Sequence, residues 1–325
     1  MSSINFLSTS SKLLISEAKD LGLSVEIIDA DNNVFFIGNS EKKILFKNTD
    51  FGVNSALGFK LVNDKSLCYT LLERNGFPIA KSLYLKKENF NNFKESDISG
   101  FLFPLVIKPL SEAHGNGVRM NIRDYGELQI KLETSFLDYD TMIIQEQIKG
   151  DEIRMLVFDN EIIAAYIRKP PVVTGDGKRT IQELVEYENT TNPLRGEQYE
   201  NVLTSIEIDD EVLDTLKKQS LNILSIPREG QNIILRRNSN VGTGGTLVNV
   251  SSILHPQVKQ GVIESLAVFG LHFAGVDIIL QDPRSPLLKE NGVILEINAT
   301  PGLGGHKEML GVNSGNLVLR KLFGI

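Results

Sequence analysis

The sequence predicts an α+β fold in which a small N-terminal α/β cap precedes a larger region of mixed helices and strands. Helical stretches and short apolar strands alternate over the first half of the chain. From Asp151 onward the chain is rich in strands, and two apolar strands there carry acidic side chains. With 325 residues, the chain can form two or three domains or subdomains with an ample core.

The composition is typical of a globular protein, with 41% hydrophobic and 23% charged residues. The 34 basic and 41 acidic residues give a net charge of −7, which argues against general affinity for nucleic acid or anionic membranes. Cys68 is the only cysteine, so an internal disulfide is impossible, which fits a reducing compartment. The first residues lack a signal-peptide pattern, and apolar runs stay below the roughly 18 residues of a membrane helix. We therefore expect a soluble, cytoplasmic protein.

The first 62 residues predict the cap domain. Ser10 is expected to cap a helix over residues 11–21 that ends at Gly22. Three short strands follow, over residues 25–29, 34–37 and 44–46. Residues 63–325 predict a second domain, with a central subdomain over about residues 80–145 and a C-terminal subdomain over about residues 146–325.

The central region continues the alternation of helices and strands. Asp64 is expected to cap a helix over residues 65–74 that stops at Asn75-Gly76. A strand over residues 104–109 ends in Lys108 and a proline, which often marks the end of a strand. The other elements predicted here are a strand over 82–85, a helix over 125–133 and a strand over 142–145.

A hairpin opens the strand-rich half of the chain. Its strands, over residues 154–158 and 161–168, join at the turn Asp159-Asn160. Residues 170–229 indicate an insertion that contains a glycine turn, one helix near residues 181–188 and a polar loop. A strand over 232–237 and a helix over 257–269 follow.

Acidic and amide side chains lie on two apolar strands near the end of the sequence. Glu296 and Asn298 are two residues apart, so in an extended strand both side chains point to the same face. Asp277 lies in a similar apolar strand upstream. Hard oxygen ligands of this kind are those that Mg²⁺ selects. The three side chains therefore predict a metal–phosphate site.

Lys108 precedes a loop that contains glycines. A lysine at a strand end can meet a phosphate as a point charge, although a solvated lysine gives the same pattern. In the loop over residues 111–118, Gly115 and Gly117 let backbone amides approach a polyanion. The loop is not a Walker A motif, because no Gly-Lys-Ser/Thr follows, and an ordinary surface turn is the alternative.

The turn Gln145-Glu146-Gln147-Ile148 follows a strand, and its main chain could read the edge of an adenine. Glu152, just beyond the turn, could bind ribose hydroxyls. A charged surface turn is the alternative.

Four arginines lie in or beside apolar strands: Arg154, Arg168, Arg236 and Arg237. Arginine binds carboxylate or phosphate through paired hydrogen bonds, although structural ion pairs use the same chemistry. Alternation places Arg236 and Arg237 on opposite faces, so at most one of them enters a shared cleft. The glycine-dense loop over residues 238–246, which contains Asn240, suits closure around a carboxylate or phosphoryl group, or is a hairpin tip. The four histidines lack zinc-ligand spacing, and we assign none of them a catalytic role.

The order of these segments resembles the ATP-grasp superfamily, and within it the ATP-grasp module of cyanophycin synthetase. The resemblance covers roughly residues 45–306 and also includes N-D-K-S before the G-x-P turn. Its five main segments, in chain order, are V-I-K-P-L-S-E-A-H-G-N-G-V, G-D-E-I-R-M-L-V, I-R-K-P-P-V-V-T-G-D-G-K-R-T-I-Q-E-L-V, L-R-R-N-S-N-V-G-T-G-G-T and L-E-I-N-A-T-P-G. The implied fold is two α+β subdomains that grip ATP.

The resemblance also implies a role for particular residues. For the ATP phosphates it implies Lys65, Lys108 and the loop that contains His114, Gly115 and Gly117. For adenine it implies Gln145, Glu146, Gln147 and Ile148, and for ribose it implies Glu152. For two Mg²⁺ ions, with Mn²⁺ as an alternative, it implies Asp277, Glu296 and Asn298. For the γ-phosphate or an acylphosphate it implies Arg168, Arg236 and Asn240.

The implied activity is an ATP-dependent carboxylate–amine ligase that forms an amide through an acylphosphate, on an amino acid or short peptide. The alternatives are a glutathione-synthetase-like or D-alanine–D-alanine-ligase-like activity, or a nucleotide-binding module without turnover. Small-molecule substrates and a homodimer are expected, with neither nucleic acid nor membrane as a partner. Cyanophycin synthetase is much longer and has domains on both sides of this module, so we do not expect a complete cyanophycin polymerase. Gly242 also replaces a serine usual in that family.

Overall fold

Two antiparallel sheets, one of four strands and one of five, form the frame of the protein. The computed structural model describes residues 7–110, 117–196, 203–236, 243–304 and 306–325. A three-stranded sheet precedes the two large sheets, and two two-stranded sheets lie in the insertion. Helices combined with antiparallel sheets are the α+β architecture that the sequence predicts.

The cap has one helix and a three-stranded antiparallel meander, as predicted. Its elements are α1 (Thr9–Asp20), β1 (Ser24–Asp29), β2 (Val34–Gly38) and β3 (Lys43–Lys47). The N-cap of α1 is Ser8 and not the predicted Ser10: the Ser8 hydroxyl accepts a hydrogen bond of 3.2 Å from the Ser11 amide. Ser10 lies within the helix, and its hydroxyl accepts a bond of 3.0 Å from the amide of Leu303.

Two helices connect the cap to the first large sheet: α2 (Ala56–Asn63) and α3 (Lys65–Arg74). The start of α3 is as predicted, since the Asp64 carboxylate accepts hydrogen bonds from the amides of Ser66 and Leu67. The sequence did not indicate α2, whose pattern is weakened by Gly58, a poor helix former. That glycine is needed, because a Cβ at Gly58 would lie 1.9 Å from the carbonyl oxygen of Phe269.

The four-stranded sheet and its helix form the central part of the molecule. Its strands are β4 (Ser82–Lys86), β5 (Leu105–Pro109), β6 (Arg119–Ile122) and β7 (Thr141–Glu146), in the order β4-β7-β5-β6. The helix α4 (Tyr125–Ser135) shares a buried core with this sheet and with two short 3₁₀ helices, Lys87–Asn92 and Glu95–Ile98. β4, β5 and β7 lie within a few residues of the predicted strands, whereas β6 was not predicted.

The predicted hairpin is formed by β8 (Asp151–Phe158) and β9 (Glu161–Lys169). Asp159 and Asn160 both have positive φ, 49° and 63°, as a type I′ hairpin turn requires. The insertion follows with β10 (Val172–Thr174), α5 (Ile181–Thr191), β11 (Arg195–Gly196), β12 (Leu203–Thr204), α6 (Asp210–Lys218) and β13 (Asn232–Ile234).

Within the insertion, α6 lies where the sequence indicated a polar loop. Most of its residues are polar, and only Val212, Thr215 and Leu216 are buried. The apolar stripe of such a short helix is too narrow to stand out in the sequence. The strand predicted over residues 232–237 is also shorter, since β13 ends at Ile234.

The five-stranded sheet is completed by elements from the end of the chain. These are β14 (Thr246–Asn249), α7 (Pro256–Ala267), β15 (Phe273–Leu280), β16 (Gly292–Asn298), α8 (His306–Leu310) and α9 (Ser314–Phe323). The strand order is β14-β9-β8-β15-β16.

The two faces of the five-stranded sheet have different neighbours. On one face, side chains such as Met155, Val276 and Ile297 share a core with α2, α3 and α7. On the other face, Phe158 and Phe273 share a core with the cap and with α9. This second face is apolar only in the half that the cap covers, and its other half carries the charged side chains described below.

The cap core draws on distant parts of the chain. Leu14 of α1 and Val318 of α9 are both fully buried in it, together with residues of β8 and β9. The predicted boundary between residues 62 and 63 stays a prediction. None of the helices in the described ranges has the length and apolarity needed to cross a bilayer.

We predict that Phe273→Ala lowers the free energy of unfolding by about 3–5 kcal/mol, because it leaves a cavity between the sheet and the cap. The Phe273 ring is 1% exposed and contacts the rings of Phe51 and Phe158 at centroid distances of 4.9 and 5.8 Å. Chemical denaturation would measure the change. Leu137→Ala is the control, since Leu137 is 78% exposed; equal effects of the two substitutions would contradict the prediction.

Candidate active site

A polar surface occupies the half of the second sheet face that the cap does not cover. Because side chains alternate along each strand, residues of β8, β9, β15 and β16 are brought to this surface at every second position. The residues that we call the polar face are Glu152, Arg154, Arg168, Asp277, Glu296 and Asn298. The register sets Arg154 opposite Asp277 and Asp277 opposite Glu296, so the three form a row across neighbouring strands.

Arg154 and Asp277 form an ion pair with two parallel hydrogen bonds. Nη2 of Arg154 donates to Oδ2 of Asp277 at 2.6 Å, and Nε donates to Oδ1. Their side chains are only 11% and 8% exposed. Burial disfavours the charged guanidinium, but the Asp277 carboxylate outweighs it and raises the pKa of Arg154.

Gly275 leaves the space in which this ion pair lies. A Cβ at Gly275 would be 2.7 Å from Nη1 of Arg154 and 3.0 Å from Cβ of Pro301. The guanidinium therefore lies across β15 only because the residue two positions before Asp277 has no side chain.

Glu296 and Asn298 complete the predicted set of oxygen donors. The Glu296 side chain is exposed, and its carboxylate makes no hydrogen bond or ion pair with the residues that the structure describes. The Asn298 amide oxygen accepts a bond of 2.9 Å from the Thr300 amide.

These donors fit a magnesium ion of the kind that keeps several waters. Such an ion uses one or two carboxylates together with substrate phosphates, and the uncommitted carboxylate of Glu296 lies beside Asp277. Within the described ranges, three or more His, Cys, Asp or Glu side chains do not converge into a metal cage. The ligand set would therefore depend on Asn298, water or phosphate as well.

A β-bulge in β16 precedes Glu296. Asp277 pairs with Glu296 and Ile278 pairs with Ile294, so Leu295 is the extra residue. The carbonyl of Leu295 accepts a hydrogen bond from the hydroxyl of Tyr69, on the buried side of α3. The bulge thereby links α3 to the strand that carries the acids.

Lys108, at the end of β5, reaches the same point from the four-stranded sheet. Its ammonium donates to the Tyr69 hydroxyl at 2.9 Å and lies 5.3 Å from the centre of the Tyr69 ring. Burial lowers the pKa of Lys108, and the nearby carboxylates of Glu296 and Glu152 partly offset this effect. The predicted phosphate-binding lysine is therefore close to the polar face.

The predicted adenine-binding turn is partly committed to internal contacts. The Gln145 amide is buried and donates to the Ser82 hydroxyl at 2.8 Å, so this side chain belongs to the interior. The amides of Glu146 and Gln147 donate to the carbonyls of Lys81 and Pro104 at 3.1 and 3.0 Å. Within the described residues, the amide of Ile148 donates to no other group, so it is available to a ligand.

Glu152 and Arg168 lie next to each other at the edge of the polar face, with 3.9 Å between Oε1 and Nη1. Burial, and next the Asp277 carboxylate, raise the pKa of Glu152. The Glu152 side chain is still 53% exposed, so it can exchange its partner for a ligand hydroxyl.

Arg236 is engaged by two acidic residues of the insertion. Its guanidinium is 6% exposed and pairs with Asp209 at 2.7 Å and Glu211 at 2.9 Å, both at the start of α6. Its Nε has no hydrogen-bond partner in the described part of the chain. The predicted role of Arg236 at the γ-phosphate gains no support from these contacts.

The remaining predicted residues are less informative. Lys65 is the first residue of α3, four positions before Tyr69. Gly117 has φ of 70°, and a Cβ there would lie 2.6 Å from Cγ of Pro109, so this glycine is required by the turn itself. His114, Gly115 and Asn240 lie outside the described residues.

Two parts of the site were not foreseen in the sequence. Tyr69 gave no signal beyond its place on the buried side of a helix, and its contacts come from two distant strands. His306 is buried, with Nε2 3.1 Å from the Tyr166 hydroxyl and Nδ1 2.6 Å from the Ser314 hydroxyl. Tyr166 pairs with Arg154 across β8 and β9 and belongs to the core under the cap, so His306 lies beside the polar face on the same side of the sheet.

Comparison with known proteins shows which fold this is. Residues 62–176 match the model of the RimK-like ATP-grasp domain. The bifunctional glutathione synthetase from Pasteurella multocida has a similar structure, with a TM-score of 0.77 and 24% identity over 98% of this chain and 44% of that one. The chain therefore has an ATP-grasp fold, and the predicted fold is confirmed.

Curated relatives give the same result at the level of sequence. Cyanophycin synthetase from Crocosphaera subtropica is 33% identical over 252 residues, which are 77% of this chain and 29% of that protein. The glutathione biosynthesis bifunctional protein GshAB from Streptococcus agalactiae is 29% identical over 332 residues, 97% of this chain and 42% of that protein. The chain thus spans less than half the length of these relatives.

Gly275→Ala should lower the free energy of unfolding by about 1–3 kcal/mol, because the added methyl group would displace Arg154 or Pro301. Gly261→Ala in α7 is the control, and we expect it to raise the free energy of unfolding. Its Cβ would meet nothing closer than 3.4 Å, and alanine favours the helix by about 1 kcal/mol. Thermal unfolding of both variants tests this, and a stabilised Gly275→Ala protein would contradict it.

A second prediction concerns His306, whose pKa is lowered to about 4 by burial and by the charges of Arg154 and Arg168. The unfolded chain binds a proton at this residue below about pH 6.5, so between pH 6.5 and 4 it binds more protons than the folded chain. The neutral His306 therefore leaves the folded state at full stability above about pH 6.5, and the free energy of unfolding decreases as the pH falls from 6.5 toward 4.

We therefore expect the wild type to lose roughly 3 kcal/mol more stability than His306→Gln between pH 7 and pH 4. Chemical denaturation of both proteins at several pH values measures this difference. The protonation of acidic residues affects both proteins equally and therefore cancels in the comparison. Parallel pH profiles would contradict the assignment of a neutral, buried imidazole.

Proposed function

We propose that this chain, which has an ATP-grasp fold, is an ATP-dependent carboxylate–amine ligase that forms an amide or peptide-like bond. The observation that carries the proposal is the approach of Lys108, from the four-stranded sheet, to the carboxylates of Glu296 and Glu152 on the five-stranded sheet. The Tyr69 hydroxyl connects them, because it accepts from Lys108 and donates to the Leu295 carbonyl beside Glu296. A cation from one sheet and oxygen donors from the other are what a nucleotide triphosphate and its metal ion require.

Residues of both sheets would bind the nucleotide. Lys108 and Lys65 would neutralise phosphate charge, the free Ile148 amide would donate to the adenine, and Glu152 would accept from ribose hydroxyls. Asp277, Glu296 and Asn298 would hold Mg²⁺, which when bound would polarise the phosphates. The ion pair of Asp277 with Arg154 fixes the direction of that carboxylate before the ion arrives.

The reaction would need no nucleophile from the protein. A substrate carboxylate oxygen attacks the γ-phosphorus, and the bond to the β-phosphate oxygen breaks, which gives an acylphosphate and ADP. An amine then attacks the activated carbonyl carbon, loses a proton and expels phosphate. The protein would supply positive charge at Lys108 and Arg168 and would hold the reactants in line.

The substrate proposal is an amino acid or a short peptide on at least one side of the new bond. It rests on two relatives, a cyanophycin synthetase and a bifunctional protein of glutathione biosynthesis. A glutathione-synthetase-like reaction is the closest alternative, because the GshAB relative covers nearly the whole chain. A cytoplasmic location and a homodimer stay predictions.

A nucleotide-binding module without turnover is the second candidate. One observation favours it: both oxygens of Asp277 already accept hydrogen bonds from Arg154, so a metal ion must share this carboxylate with a cation. ADP release distinguishes the candidates, because a binding module would bind ATP and release no ADP with any carboxylate and amine.

Glu296→Ala should reduce ADP formation by about 100-fold or more and leave the fold intact, since it removes the uncommitted carboxylate from the polar face. The measurement is ADP release with a panel of amino acids and peptides, with hydroxylamine to trap an acylphosphate. Glu290→Ala is the control, because Glu290 is an exposed acid in the loop before β16. Undiminished amine-dependent turnover in Glu296→Ala would contradict the proposal.

A further inference from the structure

We propose that Tyr69 is a positioning residue that holds the Lys108 ammonium against the bulge of β16, ready for the phosphates of a nucleotide. The inference rests on the proposed function, in which Lys108 binds phosphate. It assigns to Tyr69 a role that is exerted through another residue, Lys108.

The direction of the hydrogen bonds at Tyr69 follows from the chemistry of the three groups. An ammonium can only donate, and a backbone carbonyl can only accept. The Lys108 ammonium therefore donates to the Tyr69 oxygen, and the single Tyr69 proton goes to the Leu295 carbonyl. This arrangement has one orientation, so the hydroxyl cannot rotate without breaking a bond.

The environment of Tyr69 keeps the arrangement intact. The side chain is 4% exposed, and burial, and next the Glu296 carboxylate, raise the pKa of the hydroxyl above its usual range. The proton that binds Leu295 is thus retained at neutral pH. Since Leu295 is the residue before Glu296, one hydroxyl connects the lysine of one sheet to the acid-bearing strand of the other.

Lys108 is left with donors for a ligand. Within the described residues, Tyr69 is the only hydrogen-bond partner of its ammonium, so two of the three N–H groups have no acceptor. A long lysine side chain has several rotamers, and restricting it before a ligand binds lowers the entropy lost on binding. Tyr69 would confine the ammonium while leaving most of its hydrogen-bonding capacity free.

Tyr69→Phe tests the proposal, since it keeps the buried ring and removes only the hydroxyl. We expect the affinity for ATP with Mg²⁺ to fall about tenfold or more, as for a lost hydrogen bond to a charged group. Adenosine, which lacks phosphates, should bind as tightly as it does to the wild type. Titration calorimetry with both ligands measures the two affinities.

The readout specific to positioning is a double-mutant cycle with Lys108→Met. If Tyr69 acts through Lys108, the loss caused by Tyr69→Phe should disappear when the lysine is already absent. Tyr84→Phe is the matched control. The Tyr84 hydroxyl is also buried, but it bonds neither Lys108 nor the Leu295 carbonyl, so its removal should leave ATP binding unchanged.

The outcomes separate this inference from the proposed function. If Lys108→Met binds ATP like the wild type, the phosphate role of Lys108 fails, and the role of Tyr69 fails with it. If Lys108→Met is weakened but Tyr69→Phe is not, only the positioning role is overturned. The positioning role is also overturned if Tyr69→Phe weakens ATP binding equally in the wild type and in Lys108→Met. It is overturned as well if Tyr69→Phe weakens adenosine binding as much as ATP binding, because its effect would then be structural.

Discussion

The ion pair between Arg154 and Asp277 is the interaction on which the site depends. Two opposite charges with little exposure are stable only if each satisfies the other, and removal of one partner from such a pair is strongly destabilising. The pair lies on adjacent central strands, in register, with paired hydrogen bonds. The ion pair allows the five-stranded sheet to carry charged side chains on its polar face while its opposite face packs against an apolar core.

The same strands build the core and the site, because alternation divides their side chains between the two faces. In β15, Val276 and Ile278 enter the core beneath the sheet, whereas Asp277 between them faces the site. In β8, Leu156 and Phe158 pack under the cap, and Arg154 lies beyond its border on the same face. The cap thus bounds the polar face on one side, and α9 packs in the same core as the cap.

The sequence was sufficient for elements whose signals are local. The helix capped by Asp64 and the turn at Asp159-Asn160 were predicted at the positions observed, because caps and tight turns depend on a few adjacent residues. The sequence also predicted that Asp277 and Glu296 belong to one site, since both lie in apolar strands. The function class came from the resemblance to a family, and not from the residues alone.

The rest depended on contacts that no local pattern records. Gly58 hid α2 because the reason for that glycine is the backbone of Phe269, about two hundred residues away. The ion pairs of Arg236 with Asp209 and Glu211, at the start of α6, were not foreseen, and the predicted phosphate role of Arg236 stays a prediction. Tyr69 was overlooked because its partners, Lys108 and Leu295, come from different sheets.

The bulge in β16 also shifts which side chains of the strand point to each face of the sheet. Ile294 and Ile297 are both buried in the core beneath the sheet although they are three positions apart, an odd spacing that strict alternation forbids. If Leu295 alternated as a regular strand residue, Glu296 would fall on the same side as Ile294 and would be directed into the apolar interior. The bulged conformation at Leu295 therefore decides whether this carboxylate meets water or hydrocarbon.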